Sequence, residues 1–523
     1  MKRITKLLVM LLVLSLLVTG CGASSGSEPA ASETSGNEPA ATEPEAEPEA
    51  KVMKDTLTIA HWQEPATLDP QYSNMISWFL VETQIFNGLV DYNDELGEYV
   101  PVLATSWEMI DDTHMVFNLR DDVMFQNGEK MTANDVYFTF KRATESPKSA
   151  SSYKTLDIEN TKVIDDTTIE VALKVPDEAF MNTLASGRGY IVSQKAVEEM
   201  GEAEFARNPV GTGHYQLTDW VSGTEIKMTA FANCFLGDPA TPNLSFRFIP
   251  EASNRLIELE TGGVDAALNI ASTDVKRLNE MESAELVMVP SYRYTCITMS
   301  MKDELLSNKA LREALVYSID KELLTEVVYG ETATALNGVM PYNAMGFKEM
   351  EATPYDLDLA KEKLAEAGYP DGVDVTFLVE PGSEYLDIAE AVQFMWKDAG
   401  INAELIIMDR PSYLAQGNEF QIAIRAGNAN HPSNILIIYD SAFGDRIQGN
   451  DDYIDNGLVA FRQIYDDAKR QVVLDELQDY IWDIKYSIPV AHTNTIYGIS
   501  ANMEGFVPHP INLVDWSSAV VYE

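Results

Sequence analysis

Residues 356–407 read DLDLAKEKLAEAGYPDGVDVTFLVEPGSEYLDIAEAVQFMWKDAGINAELII, and this stretch decides the fold class. Its apolar residues first recur at helical spacing, with Asp356 in the position of a helix cap and Gly368 where the helix ends. Alternation with a period of two then predicts a strand over residues 373–379. A second helical run leads into a second alternating run at residues 401–407. Because a strand, a crossover helix and another strand make a parallel unit, we predict an α/β protein.

Other segments show clear starts of helices and strands. Ser307 is predicted to cap a helix whose apolar face includes Leu311. Thr132 and Asp135 have the spacing of a capping box, which predicts that a helix begins there. Alternation that begins at Thr56 predicts the first strand of the folded body.

The composition is that of a large, acidic, globular protein. At roughly 100 to 200 residues per domain, 523 residues allow several domains. The sequence has 82 acidic and 37 basic residues, a formal net charge of -45, and such a surface repels the phosphates of nucleic acid. The hydrophobic share of 46% is ordinary for a folded protein. We therefore predict no nucleic-acid partner.

The amino terminus has the pattern of an export signal. Three cations precede the apolar run from Leu7 to Val18, which is too short to span a bilayer, where about 20 residues are needed. The following Val-Thr-Gly-Cys, which ends at Cys21, resembles the lipobox of bacterial lipoproteins. The resemblance implies that residues 1–20 are a signal peptide and that Cys21 carries a lipid. The alternative is an ordinary signal peptide in which the cysteine stands by chance.

Residues 21–54 are predicted to hold the lipidated cysteine and a disordered linker. Residues 22–50 contain no aromatic or large aliphatic side chain, so they cannot bury enough surface to fold. No later segment has 18 consecutive apolar residues, so the lipid is expected to be the only membrane attachment. We expect the protein on the outer face of the cytoplasmic membrane, at the cell surface or in the periplasm.

The sequence contains no recognisable motif for catalysis or for a cofactor. Its six histidines include no pair with the spacing that puts two metal ligands on one helix face. There is no Gly-x-Ser-x-Gly elbow and no Walker-type phosphate loop. We predict no catalytic residue, no metal and no cofactor. Cys234 and Cys296 can form one disulfide or remain two buried thiols, and we favour the thiols.

Short segments spread along the chain resemble the family 5 solute-binding proteins, the oligopeptide, dipeptide and nickel receptors of ABC importers. In chain order the segments are TLTIA (56–60), LDP (68–70), IFNGLV (85–90), LATSW (103–107), FNLR (117–120), TANDV (132–136), NPVGTG (208–213), SIDK (318–321), AEAGYP (365–370), IPV (488–490) and EGF (504–506). Each segment is weak evidence alone, but their shared order along the chain is specific to the family.

The resemblance implies a periplasmic-binding-protein-like α/β fold of class II, enlarged by an extra domain, with the ligand between two lobes. The first lobe is expected to comprise residues 55–293 and 495–523, with the extra domain inserted at about residues 96–208. Residues 294–494 are expected to form the second lobe. Closure of the lobes over a solute would present it to an ABC permease and its ATPase. We expect the protein to be a monomer.

Position in the family's order suggests two groups of ligand contacts. Ser73, Asn74 and Met75 follow the segment LDP, where the family's first ligand-facing loop lies. Tyr292 and Tyr294 lie where the chain is expected to cross into the second lobe.

Residues 423–432 distinguish this chain from the peptide binders of the family. Peptide-type members have Gly-Trp-x-x-Asp in this segment, and the Asp pairs with the ammonium group of the peptide. The alignment puts Arg425 at the position of Trp and Asn428 at the position of Asp. An amide accepts a hydrogen bond but supplies no counter-charge, so a free peptide amino terminus is a poor fit. His431 is a further contact candidate, and a loop histidine is a better interpretation of it than a metal ligand.

Arg425 has two interpretations that the sequence leaves open. A guanidinium group suits a carboxylate or phosphate of the ligand, but Arg425 can also pair with one of the many acidic residues nearby. Dipeptide binders tend to have an arginine for the ligand carboxylate near the positions of Tyr385 and Leu386, and this sequence has none there.

We predict an extracytoplasmic solute-binding lipoprotein of an ABC importer that captures oligopeptides or peptide-like solutes and performs no chemistry. A receptor for an oligosaccharide or another polar or acidic solute is the alternative within the family, favoured by Asn428 and Arg425. A secreted hydrolase is the alternative of a different class, and it would turn its ligand over rather than return it intact.

Overall fold

The computed structural model describes residues 51–523, apart from residues 382, 416–419, 444–446 and 448. The predicted signal peptide, the lipidation site Cys21 and the linker up to residue 50 lie outside the described residues. The prediction of an α/β protein is confirmed, since helices and strands alternate along much of the chain.

The elements are numbered here in chain order. The strands are β1 (Thr56–His61), β2 (Val90–Asn93), β3 (Glu98–Pro101), β4 (Ala104–Asp111), β5 (His114–Leu119), β6 (Lys162–Asp165), β7 (Thr168–Ala172), β8 (Tyr215–Val221), β9 (Glu225–Ala230), β10 (Asn243–Phe248), β11 (Ala266–Leu268), β12 (Ala284–Met299), β13 (Ala333–Ala335), β14 (Val373–Val379), β15 (Ile401–Ile407), β16 (Ile422–Asn428), β17 (Ser487–Ser500), β18 (Met503–Glu504) and β19 (Val520–Val521). The α-helices are α1 (Ile76–Glu82), α2 (Ala133–Glu145), α3 (Ala179–Leu184), α4 (Gln194–Met200), α5 (Glu202–Phe205), α6 (Ala252–Glu260), α7 (Val275–Asn279), α8 (Lys309–Tyr317), α9 (Lys321–Tyr329), α10 (Leu357–Glu366), α11 (Ser383–Ala399), α12 (Arg410–Ala415), α13 (Pro432–Ile435), α14 (Asp452–Gln463) and α15 (Asp467–Ile484).

The largest sheet is held together by two long strands, β12 and β17. Its order is β15-β14-β16-β12-β17-β11-β1-β10-β9-β8, and β13 pairs with β17 beside this path. β12 and β17 are antiparallel, and their register shifts between Pro290 and Tyr294. On one side of the shift β17 pairs with β11, and on the other side β12 pairs with β16. The sheet therefore consists of two halves that share β12 and β17, one for each lobe.

The β-α-β unit predicted at residues 356–407 is present in the second half of the sheet. Asp356 caps α10, because its Oδ1 accepts a hydrogen bond from the backbone N–H of Leu359 at 2.9 Å. β14 and β15 are parallel and paired along their whole length. The second predicted helical run forms α11, and its apolar side chains, which include Ile388 and Trp396, are buried in the core beneath these strands.

One predicted helix cap is wrong by one residue. The cap of α8 is Asn308, whose side chain accepts from the backbone N–H of Ala310 at 3.0 Å, and not Ser307. The hydroxyl of Ser307 instead donates to the carbonyl of Glu304 at 2.7 Å. Serine and asparagine are about equally good caps, so the sequence does not separate two adjacent candidates.

A further packing unit, here called the inserted region, lies at residues 89–191. It contains the four-stranded sheet β4-β5-β7-β6 together with α2, and it has its own apolar core, which includes Phe117 and Phe140. The predicted capping box at the start of α2 is confirmed, since Thr132 and Asp135 each accept a backbone hydrogen bond there. The exact boundaries of the lobes and of the extra domain stay predictions.

Cys234 and Cys296 do not form a disulfide with each other, as favoured from the sequence. Cys296 is buried in the second half of the sheet, but Cys234 is only half-buried and lies 3.7 Å from the carbonyl oxygen of Thr212. Among the described residues, no helix is both long enough and apolar enough to cross a membrane.

Candidate functional site

The parallel strands of both half-sheets end at the same place. β1, β10 and β11 in the first half, and β14 and β16 in the second, run toward the register shift in β12 and β17. In open α/β sheets, ligands bind outside the carboxyl ends of the strands. The candidate site is therefore the cleft between the half-sheets, next to residues 290–294 of β12.

Tyr292 and Tyr294, both predicted as ligand contacts, lie at this shift but are almost fully buried. The Tyr292 hydroxyl donates to the carboxylate of Asp94, in the turn between β2 and β3. The ring of Tyr294 occupies the space where a side chain at Gly427 would lie. Burial raises the pKa of the Tyr292 hydroxyl, so it remains protonated. Both tyrosines therefore support the crossing between the lobes and offer little surface to a ligand.

The two predicted contacts on β16 project to opposite faces of the sheet. Arg425 and Asn428 are three residues apart in a regularly paired strand, and side chains alternate along a strand. The Arg425 guanidinium lies 5.2 Å from the ring centroid of Tyr413 and 5.1 Å from that of Phe420. Asn428 is exposed at the end of β16. The structure thus does not bring Arg425 and Asn428 together into one polar group.

The arginine that pairs with Asn428 across the sheet is Arg293, which the sequence did not lead us to select. Arg293 is the cross-strand partner of Asn428 in the ladder of β12 and β16. Such partners have Cβ atoms about 5 Å apart on the same face of the sheet. Arg293 also forms an ion pair with Glu384 and donates from Nη2 to the Tyr385 hydroxyl at 3.0 Å. An arginine therefore does lie next to Tyr385, and it comes from a strand 92 residues earlier in the chain.

The sequence contains one signal that points to Arg293. It is the only cation in the segment Ser-Tyr-Arg-Tyr-Thr at residues 291–295, and strand alternation puts it on the face opposite to Tyr292 and Tyr294. The two selected tyrosines therefore lie on the face of β12 opposite to Asn428.

The predicted contacts Ser73, Asn74 and Met75 lie in the loop before α1 and differ in their exposure. Asn74 and Met75 are exposed, whereas Ser73 is completely buried. The Ser73 hydroxyl donates to the carboxyl group of Glu82. Burial raises the pKa of Glu82 well above its usual range, which favours the neutral form of this carboxyl group. Ser73 therefore holds the loop in place, and Asn74 and Met75 remain the candidates for ligand contact.

A buried arginine of the inserted region fixes the same loop. Arg142 on α2 donates to Asp69 Oδ1 at 2.7 Å and to Gln71 Oε1 at 2.9 Å, and it also pairs with Glu202. Burial raises the pKa of Asp69, although the hydrogen bonds and charge of Arg142 act in the opposite direction. The guanidinium group of Arg142 therefore helps to fix the loop, together with the hydroxyls of Ser146 and Ser149, which donate to the Gln71 carbonyl.

His431, the remaining predicted contact, is buried and has protein partners on both ring nitrogens. Nδ1 accepts from the backbone N–H of Ser433 at 3.3 Å and so caps α13. Nε2 lies 3.0 Å from Oε2 of Glu178. Within the part of the chain that the structure describes, no group of three or more His, Cys, Asp or Glu side chains is arranged to hold a metal ion.

Comparison with known sequences matches most of the chain to one family. Residues 98–446 match the model of the bacterial extracellular solute-binding proteins, family 5 (middle part). The glutathione-binding protein GsiB of Salmonella typhi is 28% identical over 465 residues, which cover 84% of this chain and 89% of that protein.

Comparison with solved structures shows the same fold. The ABC transporter substrate-binding protein CtaP of Listeria monocytogenes matches with a TM-score of 0.82 and 22% identity, over 90% of this chain and 100% of that one. DppA of Helicobacter pylori, in complex with the peptide STSA, matches with a TM-score of 0.76 and 20% identity, over 90% of this chain and 99% of that one. These matches confirm the predicted two-lobed fold. With the family model matched over residues 98–446, the chain belongs to family 5 of the bacterial extracellular solute-binding proteins.

Proposed function

We propose that the protein binds peptides or peptide-like solutes outside the cytoplasm and delivers them to an ABC permease and its ATPase. The observation that carries this proposal is the pair of Arg293 and Asn428 at the carboxyl end of β16, which suits the carboxylate and amide groups of a peptide. The related GsiB is a glutathione-binding protein, and DppA holds a peptide in its structure. Since these relatives are binding proteins, a hydrolase is not favoured, and the solute is expected to be released unchanged.

The pair of Arg293 and Asn428 favours a peptide whose amino end also carries a carboxylate. In an α-linked peptide the terminal ammonium stands alone and needs a full counter-charge, which Asn428 does not supply. In a γ-glutamyl peptide one carbon atom bears both an ammonium and a carboxylate group. Glu384 and Tyr385 both bond Nη2 of Arg293, so its other nitrogens can take the ligand carboxylate. We therefore propose that γ-glutamyl peptides such as glutathione bind better than α-linked ones.

Arg293→Gln is expected to weaken the binding of glutathione by about 10- to 100-fold, because a hydrogen bond to a charged group contributes about 1.5–3 kcal/mol. Isothermal titration calorimetry measures the change. Arg277→Gln is the matched control, since Arg277 also pairs with one carboxylate, that of Glu260, but lies on α7 of the first lobe. Equal losses in both variants, or none in either, would show that Arg293 does not bind the ligand.

Asn428→Asp tests the other member of the pair. The variant is expected to gain affinity for the α-linked peptide Ser-Thr-Ser-Ala, because a carboxylate supplies the missing counter-charge to its ammonium group. Acetylation of that peptide should remove the gain in the variant. The assigned role of Asn428 is contradicted if acetylation already abolishes all peptide binding by the unchanged protein.

A lipid on Cys21 is proposed to hold the protein, as a monomer, at the outer face of the cytoplasmic membrane. The lipobox-like segment that ends at Cys21 supports this proposal. Cys21→Ser is expected to move the protein from the membrane fraction to the soluble fraction, and immunoblots of both fractions measure the shift. An unchanged membrane fraction would refute the anchor.

A further inference from the structure

The inserted region and the second lobe are joined by a contact outside the proposed ligand pair. One side of it is the segment before α3, with Asp177 and Glu178, and the other side is the junction between α14 and α15. The backbone N–H of Glu178 donates to the carbonyl of Arg462 at 2.8 Å. The backbone N–H of Asp177 donates to the hydroxyl of Tyr465 at 3.1 Å. Two backbone groups of the inserted region are thus bonded to the second lobe.

The side chain of Glu178 lies between two groups of the second lobe. Its Oε2 is 3.0 Å from Nε2 of His431, and its Oε1 is 3.4 Å from Nη1 of Arg470. Because Nδ1 of His431 already accepts the cap bond at α13, the ring hydrogen is on Nε2 and is donated to Glu178. Burial acts to raise the pKa of Glu178, but the bond from His431 and the charge of Arg470 outweigh it and lower the pKa. Glu178 is therefore a buried carboxylate whose partners lie in the other lobe.

Around this contact there are a cavity and several buried polar atoms without a hydrogen-bond partner among the described residues. A cavity of about 90 Å³ lies against Glu178, His431 and Arg470. Buried side-chain atoms near the contact that have no hydrogen-bond partner within the described residues are Tyr99 Oη, Asp177 Oδ1, Ser433 Oγ and Arg462 Nε. Unpaired buried polar atoms cost free energy, and polar interfaces between domains permit relative motion. The contact is therefore suited to form and break as the lobes move.

We propose that Glu178 is a closing residue, whose carboxylate enters between His431 and Arg470 when the lobes close and so slows the release of a bound solute. It acts by holding the lobes together, since its side chain contacts His431 and Arg470 of the second lobe. A solute shifts the equilibrium only through its own preference for the closed form. Glu178 adds a contribution that does not depend on the solute, so it favours closure even before a ligand binds. The inference rests on the solute-binding function and not on the identity of the solute.

Measurements on the protein without ligand test the proposal directly. Glu178→Gln is expected to increase the radius of gyration in small-angle scattering. It is also expected to speed hydrogen exchange about tenfold at the backbone amides of residues 177 and 178. Glu108→Gln is the matched control, because Glu108 is an exposed acid on β4 of the same region. Unchanged exchange at both amides in Glu178→Gln would overturn the proposal.

A second variant tests whether Glu178 and Arg470 act as one unit. Arg470→Gln is expected to speed exchange at the same amides, and the double variant should add little to either single change. If the effects of the two single changes on the exchange rates add fully in the double variant, Glu178 and Arg470 do not act as one unit. Arg470→Gln also keeps the test decisive if Glu178→Gln fails to fold, which circular dichroism would show.

The pH dependence of closure gives an independent test. The titratable or charged groups that face Glu178 are Tyr99, Asp177, His431, Arg462, Tyr465, Asp467 and Arg470. Because closure lowers the pKa of Glu178, its contribution is present at neutral pH and is lost as the pH falls through that lowered pKa. Scattering should show a larger opening step on acidification in the unchanged protein than in Glu178→Gln. An opening step of equal size in both proteins would contradict the proposal. This outcome does not depend on whether calorimetry shows binding of glutathione.

Discussion

Replacing Arg142 by Met is expected to lower the free energy of unfolding by about 3–5 kcal/mol, because it leaves the buried carboxylate of Asp69 without a counter-charge. The two side chains are 6% and 1% exposed, so water cannot take the place of the guanidinium. Met keeps much of the arginine stem's volume, so the loss reports the charge more than a cavity. Urea unfolding followed by circular dichroism measures it.

Two further variants make this expectation specific. Adding Asp69→Asn to Arg142→Met is expected to recover part of the stability, since the double variant buries no unpaired charge. Arg120→Met is the matched control, because Arg120 pairs with Asp122 at a partly exposed position and such pairs contribute at most about 1 kcal/mol. A loss in the control as large as that in Arg142→Met would contradict the interpretation.

Trp396→Ala is expected to destabilise the second lobe by about 3–5 kcal/mol, the usual range when a fully buried aromatic side chain is removed. Trp396 on α11 is completely buried, its ring packs against Phe377, and its indole N–H donates to the Leu315 carbonyl at 3.0 Å. Its loss leaves a cavity and removes one hydrogen bond to the Leu315 carbonyl, which keeps the bond from the Ser318 hydroxyl at 3.1 Å. Thermal unfolding measured by calorimetry is expected to show an earlier transition for this lobe.

The same helix supplies the control for this change. Phe394 is two residues away and 71% exposed, so Phe394→Ala is expected to change the stability by no more than about 0.5 kcal/mol. Similar effects of the two substitutions would show that burial on α11 is not as described. If Trp396→Ala lowers the stability but leaves the affinity for glutathione at low temperature unchanged, Trp396 contributes only to folding.

Local periodicity was enough to predict the β-α-β unit. Trp396 and Ile388 fall on one face of a helix, whereas Phe394 does not, and this difference is visible in the spacing alone. Capping was predictable to within one residue, as the shift from Ser307 to Asn308 shows. Helical faces and helix caps depend on residues that are only a few positions apart in the sequence.

The candidate site depended on pairing between distant strands, which the sequence does not show. The family pattern led to β16 and to Asn428, but it grouped Asn428 with Arg425, which lies on the other face of the strand. The polar residue paired with Asn428 is Arg293. It can be identified only when the register between β12 and β16 is known. Likewise, nothing near His431 in the sequence indicates that its partner is Glu178 of the inserted region.

The course of β17 has a consequence for how the protein is made. β17 supplies a strand beside β11, Trp516 is buried in the same core as Leu57, and the Thr241 hydroxyl donates to the carbonyl of Ala519, 278 residues away. Contacts between residues so far apart in sequence form late and slowly during folding. The lobe that begins at β1 cannot be completed before residues 487–519 have been synthesised. The nascent chain therefore stays incompletely folded through most of its translation, the state in which a protein of an extracellular family can still pass through an export channel.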